Sequence, residues 1–393
     1  MIETGLDRLL DNTESLERRR YGLLSHSAAR SSTLLPIHLA LLQSGAFLPE
    51  LLFAPEHGFY GEEQDMIPSG DGVDPWTGIP TVSLYGESEG SLRPDPGVLE
   101  GLDLLVVDLQ DVGARYYTYA ATAIWSAKAA LAADIEVWIL DRPNPLGGLE
   151  VEGNLRRAGF ESFVGAFRLP VRHALTLGEM VRLELRREGK SGDCRIWEVR
   201  GWTRDMIWPQ LARPWIAPSP NLPNEEIAFL YPGLCLIEGT ELSEGRGTTR
   251  PFQLVGAPGI GAVDLADEMR GRDLPGIAFL PTVFRPQFHK HSGALCGGVE
   301  IRVTDYEALR PYRCGVELLA GIAKVAPASL EWRREAYEFV GDTPAIDLLS
   351  GDSALRTLLD AGSEPSGWID SWSLEEEEFR QECAEILLYP GQG

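Results

Sequence analysis

The 393-residue sequence contains no apolar run approaching the roughly 20 residues of a membrane span, so an integral membrane protein is not expected. Its first residues, Met1-Ile-Glu-Thr-Gly-Leu-Asp-Arg8, carry acids and no apolar core, and do not read as a secretory signal. Cationic charge is scarce: 35 Lys+Arg face 59 Asp+Glu, and the formal charge of −24 repels phosphate backbones and argues against a nucleic-acid partner. Cysteine is scarce as well. The five thiols, Cys194, Cys235, Cys296, Cys314 and Cys383, are widely separated, with no Cys-x-x-Cys pair and no histidine at ligand spacing. They are expected as buried, reduced thiols with no metal site, and the cytoplasm fits best. Also missing are the Gly-x-x-x-x-Gly-Lys-Ser/Thr phosphate loop and a Gly-x-Gly-x-x-Gly opening a helix after the first strand, which leaves no expected nucleotide cofactor.

What is present is an alternation of buried strands and helices. Tyr21–His26, Leu51–Ala54, Thr81–Gly86, Leu102–Asp111 and Glu136–Arg142 read as strands with polar or small residues at their C-terminal ends. Leu34–Gln43 and the Ala-rich Tyr117–Ala133 read as helices between them. This is the pattern of an α/β domain with a mostly parallel sheet and right-handed crossovers. Strand chemistry then gathers on one edge, with His26, Glu56, His57, Tyr85, Asp108, Gln110, Asp111, Arg115, Asp141 and Arg142 there. Further on, Thr176 and Glu179 have the spacing of a capping box for a helix to Glu188, Arg195–Val199 reads as a strand, and Trp202–Asn224 as an irregular surface loop. A second, smaller α+β unit is expected over 227–393, after a first over 1–226. Its strands fall near Phe252–Val255, Ile277–Phe284 and Gly298–Val303, and the Glu375–Glu378 run reads as a solvated helix face. No flexible linker separates the units, so a wide shared interface is expected, with the ligand cleft at it.

Two stretches carry chemistry. In Phe53-Ala-Pro-Glu-His-Gly58 a buried strand is stopped by Pro55, so Glu56 and His57 emerge on the loop that follows and place an acid and a base together. In Glu238-Gly-Thr-Glu-Leu-Ser-Glu-Gly-Arg-Gly-Thr-Thr249, three carboxylates (Glu238, Glu241, Glu244) surround Arg246, more than a salt-bridged turn requires. Asp108 needs a partner, Arg115 or Arg142, and is read equally as structural or ligand-binding. Asp141, Arg142 and Asn144 on a Pro-stiffened strand exit, and Asn221 in Ser219-Pro-Asn-Leu-Pro223, are further donors and acceptors. His38, on the apolar face of a helix, reads as a packing residue.

Taken in order, Ala54-Pro-Glu-His-Gly58, Ser83-Leu-Tyr-Gly86, Asp108–Tyr119, Leu140–Pro145, Ser162-Phe-Val-Gly165, Ser219-Pro-Asn221, Tyr231-Pro-Gly233, Glu238-Gly-Thr240, Ser243–Thr249 and Pro251-Phe252 resemble the bacterial exo-β-N-acetylmuramidases, formerly a domain of unknown function. The resemblance implies a Rossmann-like domain carrying the active site, a smaller α+β domain, and release of terminal N-acetylmuramic acid from the non-reducing end of peptidoglycan fragments. It also extends the substrate-binding set to Ser243 and Thr248, beside Glu238, Arg246, Asp108, Gln110, Asp111, Arg115, Asp141, Arg142, Asn144 and Asn221. This chain departs from the family in having Tyr60 where Arg is common and Glu241 where Asn is common. The partner expected is a small or oligosaccharide substrate, with no nucleic acid, membrane or obligate protein partner.

Glycoside hydrolysis uses a protonated carboxyl and a second carboxylate. Glu56 is expected as the acid, its pKa raised by Phe53, Phe59 and Tyr60, with His57 orienting it. Glu244 is expected as the partner, with Glu238 in reserve, and Arg246 or Arg115 as the cation for the lactyl carboxylate. The alternatives are a glycan deacetylase or esterase and a non-catalytic muramyl-sugar-binding protein.

Overall fold

The structure is a computed structural model, and it describes residues 2–190 and 194–391. Among the described residues ten strands form two sheets: β1 (Tyr21–Ser25), β2 (Leu51–Ala54), β3 (Gly72–Val73), β4 (Pro80–Ser83), β5 (Leu104–Asp108), β6 (Glu136–Leu140) and β7 (Cys194–Trp197) in the first, and β8 (Leu254–Ala257), β9 (Ile277–Phe284) and β10 (Cys296–Val303) in the second. The first sheet runs β3-β4-β2-β1-β5-β6-β7, parallel throughout except for the short β3. Without β3, its spatial order is the Rossmann order 3-2-1-4-5-6, in which the side on which successive strands are added reverses between β1 and β5. The second sheet is antiparallel, ordered β8-β10-β9.

Alternation along the strands explains why the first sheet is buried on both faces. Leu23, Leu104, Val106 and Trp138 point into one cluster with Leu6 and Leu52, while Leu24, Leu105, Val107 and Ile139 point into the other. That second cluster does not stop at the first unit. It continues through Phe252, Val255, Tyr312 and Ile346, so the antiparallel unit packs on the same core.

Several elements differ from expectation for local reasons. The helix expected from Leu34 begins at Ile37, because Pro36 occupies its N-cap position. The long strand expected over Leu102–Asp111 is β5 alone: Arg20 binds the Asp103 carboxylate before it, and the Gln110 amide leaves the ladder after it for His26. The Thr176 cap forms, with Thr176 and Glu179 satisfying each other's backbone amides ahead of Leu177–Arg187. Between Trp202 and Asn224 the one helical element is the short 3-10 helix Trp208–Gln210, yet Trp202 and Trp208 are buried rather than displayed.

The Glu375–Glu378 run requires a correction. It lies in the helix Ser366–Cys383, where Glu375 accepts the Leu155 amide at 2.8 Å and Glu376 the Gly153 amide at 3.0 Å, both in the first unit. Only Glu377 and Glu378 face solvent, Glu378 pairing with Arg168 at 2.8 Å. Beyond this helix the chain returns to the first unit, where Tyr389 bonds the Asp141 carboxylate and packs with Ile2, Trp202 and Trp208. The helix Glu225–Leu234 carries the chain from one unit to the other without a linker.

Candidate active site

The parallel strands deliver their ends to one edge, and the β1/β5 reversal opens a crevice there. At that point His26 Nε2 accepts the Gln110 amide at 2.9 Å. Burial, with Arg142 and His57 adding, pushes the His26 imidazole well below its usual pKa, so it stands neutral as that acceptor. The rim is thereby braced at the reversal.

Beside it lies a tight pocket of ≈ 30 Å³ lined by Glu56, His57, Asp65, Thr118, Glu238, Arg246, Tyr337 and Glu338, with Tyr116, Tyr117, Val164, Leu222, Tyr231 and Phe252 as its apolar wall. Wider depressions of ≈ 560 and ≈ 670 Å³ lie around Leu330 and Asp360, but they bring no buried carboxyls together. Chemistry, not size, selects the smaller pocket.

Glu56 follows β2 as expected, 5% exposed, and its Oε2 accepts the Thr118 hydroxyl at 2.7 Å. Thr118 occupies the N-cap of the helix Tyr119–Ala132 in a helical conformation and makes no cap hydrogen bond; its hydroxyl donates to Glu56. The Tyr119 hydroxyl holds the Glu56 carbonyl at 3.2 Å. His57 takes a left-handed φ of 72°, and its Nδ1 lies 3.1 Å from the Glu63 carbonyl. Phe59 and Tyr60, expected beside the acid, instead pack against His38 on the opposite side of the sheet. His38 is a packing residue there, fully buried and stacked on Trp76.

The second stretch forms a charge cluster in which every carboxylate oxygen except those of Glu241 is committed. Arg246 Nη1 binds Glu238 Oε1 at 2.8 Å and Glu244 Oε1 at 3.2 Å, and its Nε lies 3.1 Å from Asp65 Oδ1. Glu238 Oε2 accepts the Tyr337 hydroxyl at 2.6 Å, and Glu244 Oε2 accepts Lys290 at 2.9 Å. Burial pushes the Glu244 carboxyl up, but Lys290, Arg246 and His289 outweigh it and hold it down to about 2. Glu244 therefore sits behind the pocket wall as the anion of an ion cluster, not at the surface of the pocket where a second carboxylate was expected. The Arg246 cation is likewise shared among three carboxylates. Gly247, at φ 77°, serves the protein's own packing: a Cβ there would meet the Phe288 carbonyl at 2.3 Å.

Other expected ligand contacts also have protein partners. Arg142 clamps Asp108 at 2.6 and 2.9 Å, and Arg115 donates to the carbonyls of Asn154, Leu169 and Leu349 at 2.8–2.9 Å, tying the units together. Asp141 accepts Thr176 Oγ1 at 2.7 Å and the Gly178 amide at 2.8 Å at the start of a helix. Asp111 accepts the Gly113 amide, Gln110 donates to the Pro143 carbonyl, and Asn144 to the Leu175 carbonyl. Asn221 donates to Gln64, Ser243 accepts the Gly245 amide, and Thr248 donates to the Gly245 carbonyl. None of these except Glu238 and Arg246 lines the pocket. The sequence reading missed Thr118, Asp65, Tyr337 and Glu338. Thr118 lies inside a matched block, but nothing local marks Glu338 apart from its aromatic neighbours Tyr337 and Phe339.

Among the described residues no group of three or more His, Cys, Asp and Glu side chains is placed to hold a metal ion, and no helix is long and apolar enough to cross a membrane. Comparison with known proteins agrees with this architecture. A solved structure from Bacteroides fragilis, a DUF1343 family protein, superposes with a TM-score of 0.88 at 29% identity over 99% of each chain. A second DUF1343 protein from the same organism gives 0.77 at 27% identity over 100% of each. The peptidoglycan β-N-acetylmuramidase NamZ of Bacillus subtilis is 35% identical over 389 residues, covering 99% of this chain and 91% of that protein. Residues 21–226 match the N-terminal model of exo-β-N-acetylmuramidase NamZ and residues 229–389 its C-terminal model. The chain belongs to the exo-β-N-acetylmuramidase NamZ family.

Proposed function

We propose that this protein is a glycoside hydrolase that releases terminal N-acetylmuramic acid from the non-reducing end of peptidoglycan fragments. The observation that carries the reading is Glu56: a buried carboxyl on the loop after β2, aimed by Thr118 into a pocket walled by aromatic rings. Such a wall suits the apolar face of a sugar, and a carboxyl held by one hydroxyl keeps an oxygen for proton transfer. His57 orients the loop that carries Glu56. Arg246 donates to Glu238 at the pocket's side and so shapes the polar part of the wall.

The functional division lies at the helix Glu225–Leu234: residues 1–226 carry the sheet edge and Glu56, and residues 227–393 complete the pocket. The thiols of Cys235, Cys296, Cys314 and Cys383 are buried, which favours a reducing compartment, the cytoplasm. The net charge of −24 disfavours nucleic acid as partner.

The test is incubation with a chromogenic N-acetylmuramide. Chromophore release is the expected result, and binding without release would replace the hydrolase by a sugar-binding protein. Turnover is expected to survive EDTA. Loss on chelation that a divalent metal reverses would put a metal-dependent deacetylase in its place.

A further inference from the structure

Resting on the hydrolase reading above, we propose that Glu338 is the second carboxyl of the reaction and shares the pocket with Glu56. A carboxyl that acts on a glycosidic bond must present an oxygen to the substrate, and Glu238 and Glu244 each have both oxygens engaged by protein side chains. Glu56 uses Oε2 for Thr118, and Glu338 uses Oε2 for the Tyr85 hydroxyl at 3.0 Å. The remaining Oε1 of each takes no hydrogen bond among the described residues, and neither is among the sealed, unpartnered atoms of the interior, so both open onto the pocket.

The backbone makes the same point. Tyr337 and Val340 exchange both amide hydrogen bonds at 2.9 Å, leaving Glu338 and Phe339 as the two residues of the turn, with φ of 46° and 69°. Turns of that kind ordinarily take Asn-Gly, because side chains resist positive φ. Here a glutamate and a phenylalanine hold the strained conformation, and its effect is to drive one carboxyl from the second unit into a pocket that otherwise has its free carboxyl from the first.

The charges facing Glu338 are Glu56, Glu238 and Asp65, with the Tyr85 and Tyr337 hydroxyls nearby and His57 and Arg246 across the pocket. Burial pushes its carboxyl well above the usual range, Glu56 adds to that, and the Tyr85 hydrogen bond opposes it. Glu338 thus enters the cycle protonated and is the acid, with Glu56 as the base. As the bond between the anomeric carbon and the leaving oxygen breaks, its electron pair stays on that oxygen, which takes the Glu338 proton and departs as an alcohol. The anomeric carbon gains a bond to a water oxygen, and the water proton passes to Glu56. Return of that proton to Glu338 closes the cycle with one water consumed.

The test compares two substrates: para-nitrophenyl muramide, whose leaving group departs without a proton, and the disaccharide of N-acetylmuramic acid β-linked to N-acetylglucosamine, whose leaving group requires one. Glu338→Gln is expected to lose on the order of 10²–10⁴-fold in kcat/KM on the disaccharide and less than about 10-fold on the nitrophenyl glycoside, while Glu56→Gln loses on both. Equal losses on both substrates, or none on the disaccharide, would overturn the assignment while the hydrolase reading stands. A wild-type protein inactive on both would overturn that reading and this one with it. Tyr85→Phe provides a check that leaves the turn intact. Removing a hydrogen bond that favours the ionised form should move the alkaline limb of kcat/KM on the disaccharide to higher pH, and an unmoved limb would count against Glu338 even if Glu338→Gln failed to fold.

Discussion

Glu56 and Glu244 show how differently two buried glutamates can be employed. Glu56 has one protein partner and an oxygen to spare, so Glu56→Gln should keep the fold and lose about 10²–10⁴-fold in turnover, with near-normal rates in a folded variant removing it from the chemistry. Glu244 has partners on both oxygens and a carboxyl held down to about 2. Its folded pKa lies below the unfolded value, so its contribution is present above about pH 4.5 and disappears as the pH falls towards 2. Glu244→Gln should therefore act on stability, costing about 3 kcal/mol at neutral pH and flattening the acid side of the Tm profile. A variant with unchanged Tm but no turnover would return Glu244 to the reaction. The same reasoning applies to Arg246. Arg246→Ala removes the guanidinium shared by Asp65, Glu238 and Glu244, and should lower activity on muramides and on the matching N-acetylglucosaminides alike. A selective loss on muramides would show that the cation reads the lactyl group after all.

At the scale of elements, legibility followed the range of the interactions. The capping box at Thr176, the strand stop at Pro55 and the alternating apolar faces of β1 and β5 are set by residues a few positions apart, and all could be read in sequence. The PEHG loop was legible as a site for the same reason. The commitments of Glu244, Arg115 and Asp141 were not, since their partners Lys290, Leu349 and Tyr389 lie 46, 234 and 248 residues away. Glu338 stayed hidden because a two-residue turn with positive φ normally shows itself through Gly or Asn, and this one has neither. The acidic helix Ser366–Cys383 was misread because composition does not say which way a glutamate points. Glu376→Ala removes the acceptor of the Gly153 amide and should cost about 1–3 kcal/mol, read as a lower Tm, whereas Glu377→Ala on the exposed side should leave it within about 0.5 kcal/mol of wild type.

Across the whole molecule the acids outnumber the bases, and several are buried where ionisation is costly. Burial pushes Asp141 up to about 6, against the hydrogen bonds of Tyr389, Thr176 and Gly178, and Glu152 up to about 7, against the Arg313 amide and Arg172. Their folded pKa values exceed the unfolded ones, so the stability they confer is complete below about pH 4 and is lost as the pH rises to about 7. Glu244 works in the opposite direction below about pH 4.5. The thermal midpoint is therefore expected to be highest near pH 5 and to fall on either side, and a Tm that climbs steadily to pH 8 would contradict these burial costs. The return of Tyr389 to Asp141 has a consequence in time as well as in space. Ribosomes deliver a chain from its first residue onward, so the rim of the first sheet emerges long before the residue that completes it. Until then Asp141 lacks that hydroxyl and the cleft around Ile2, Trp202 and Trp208 lies open.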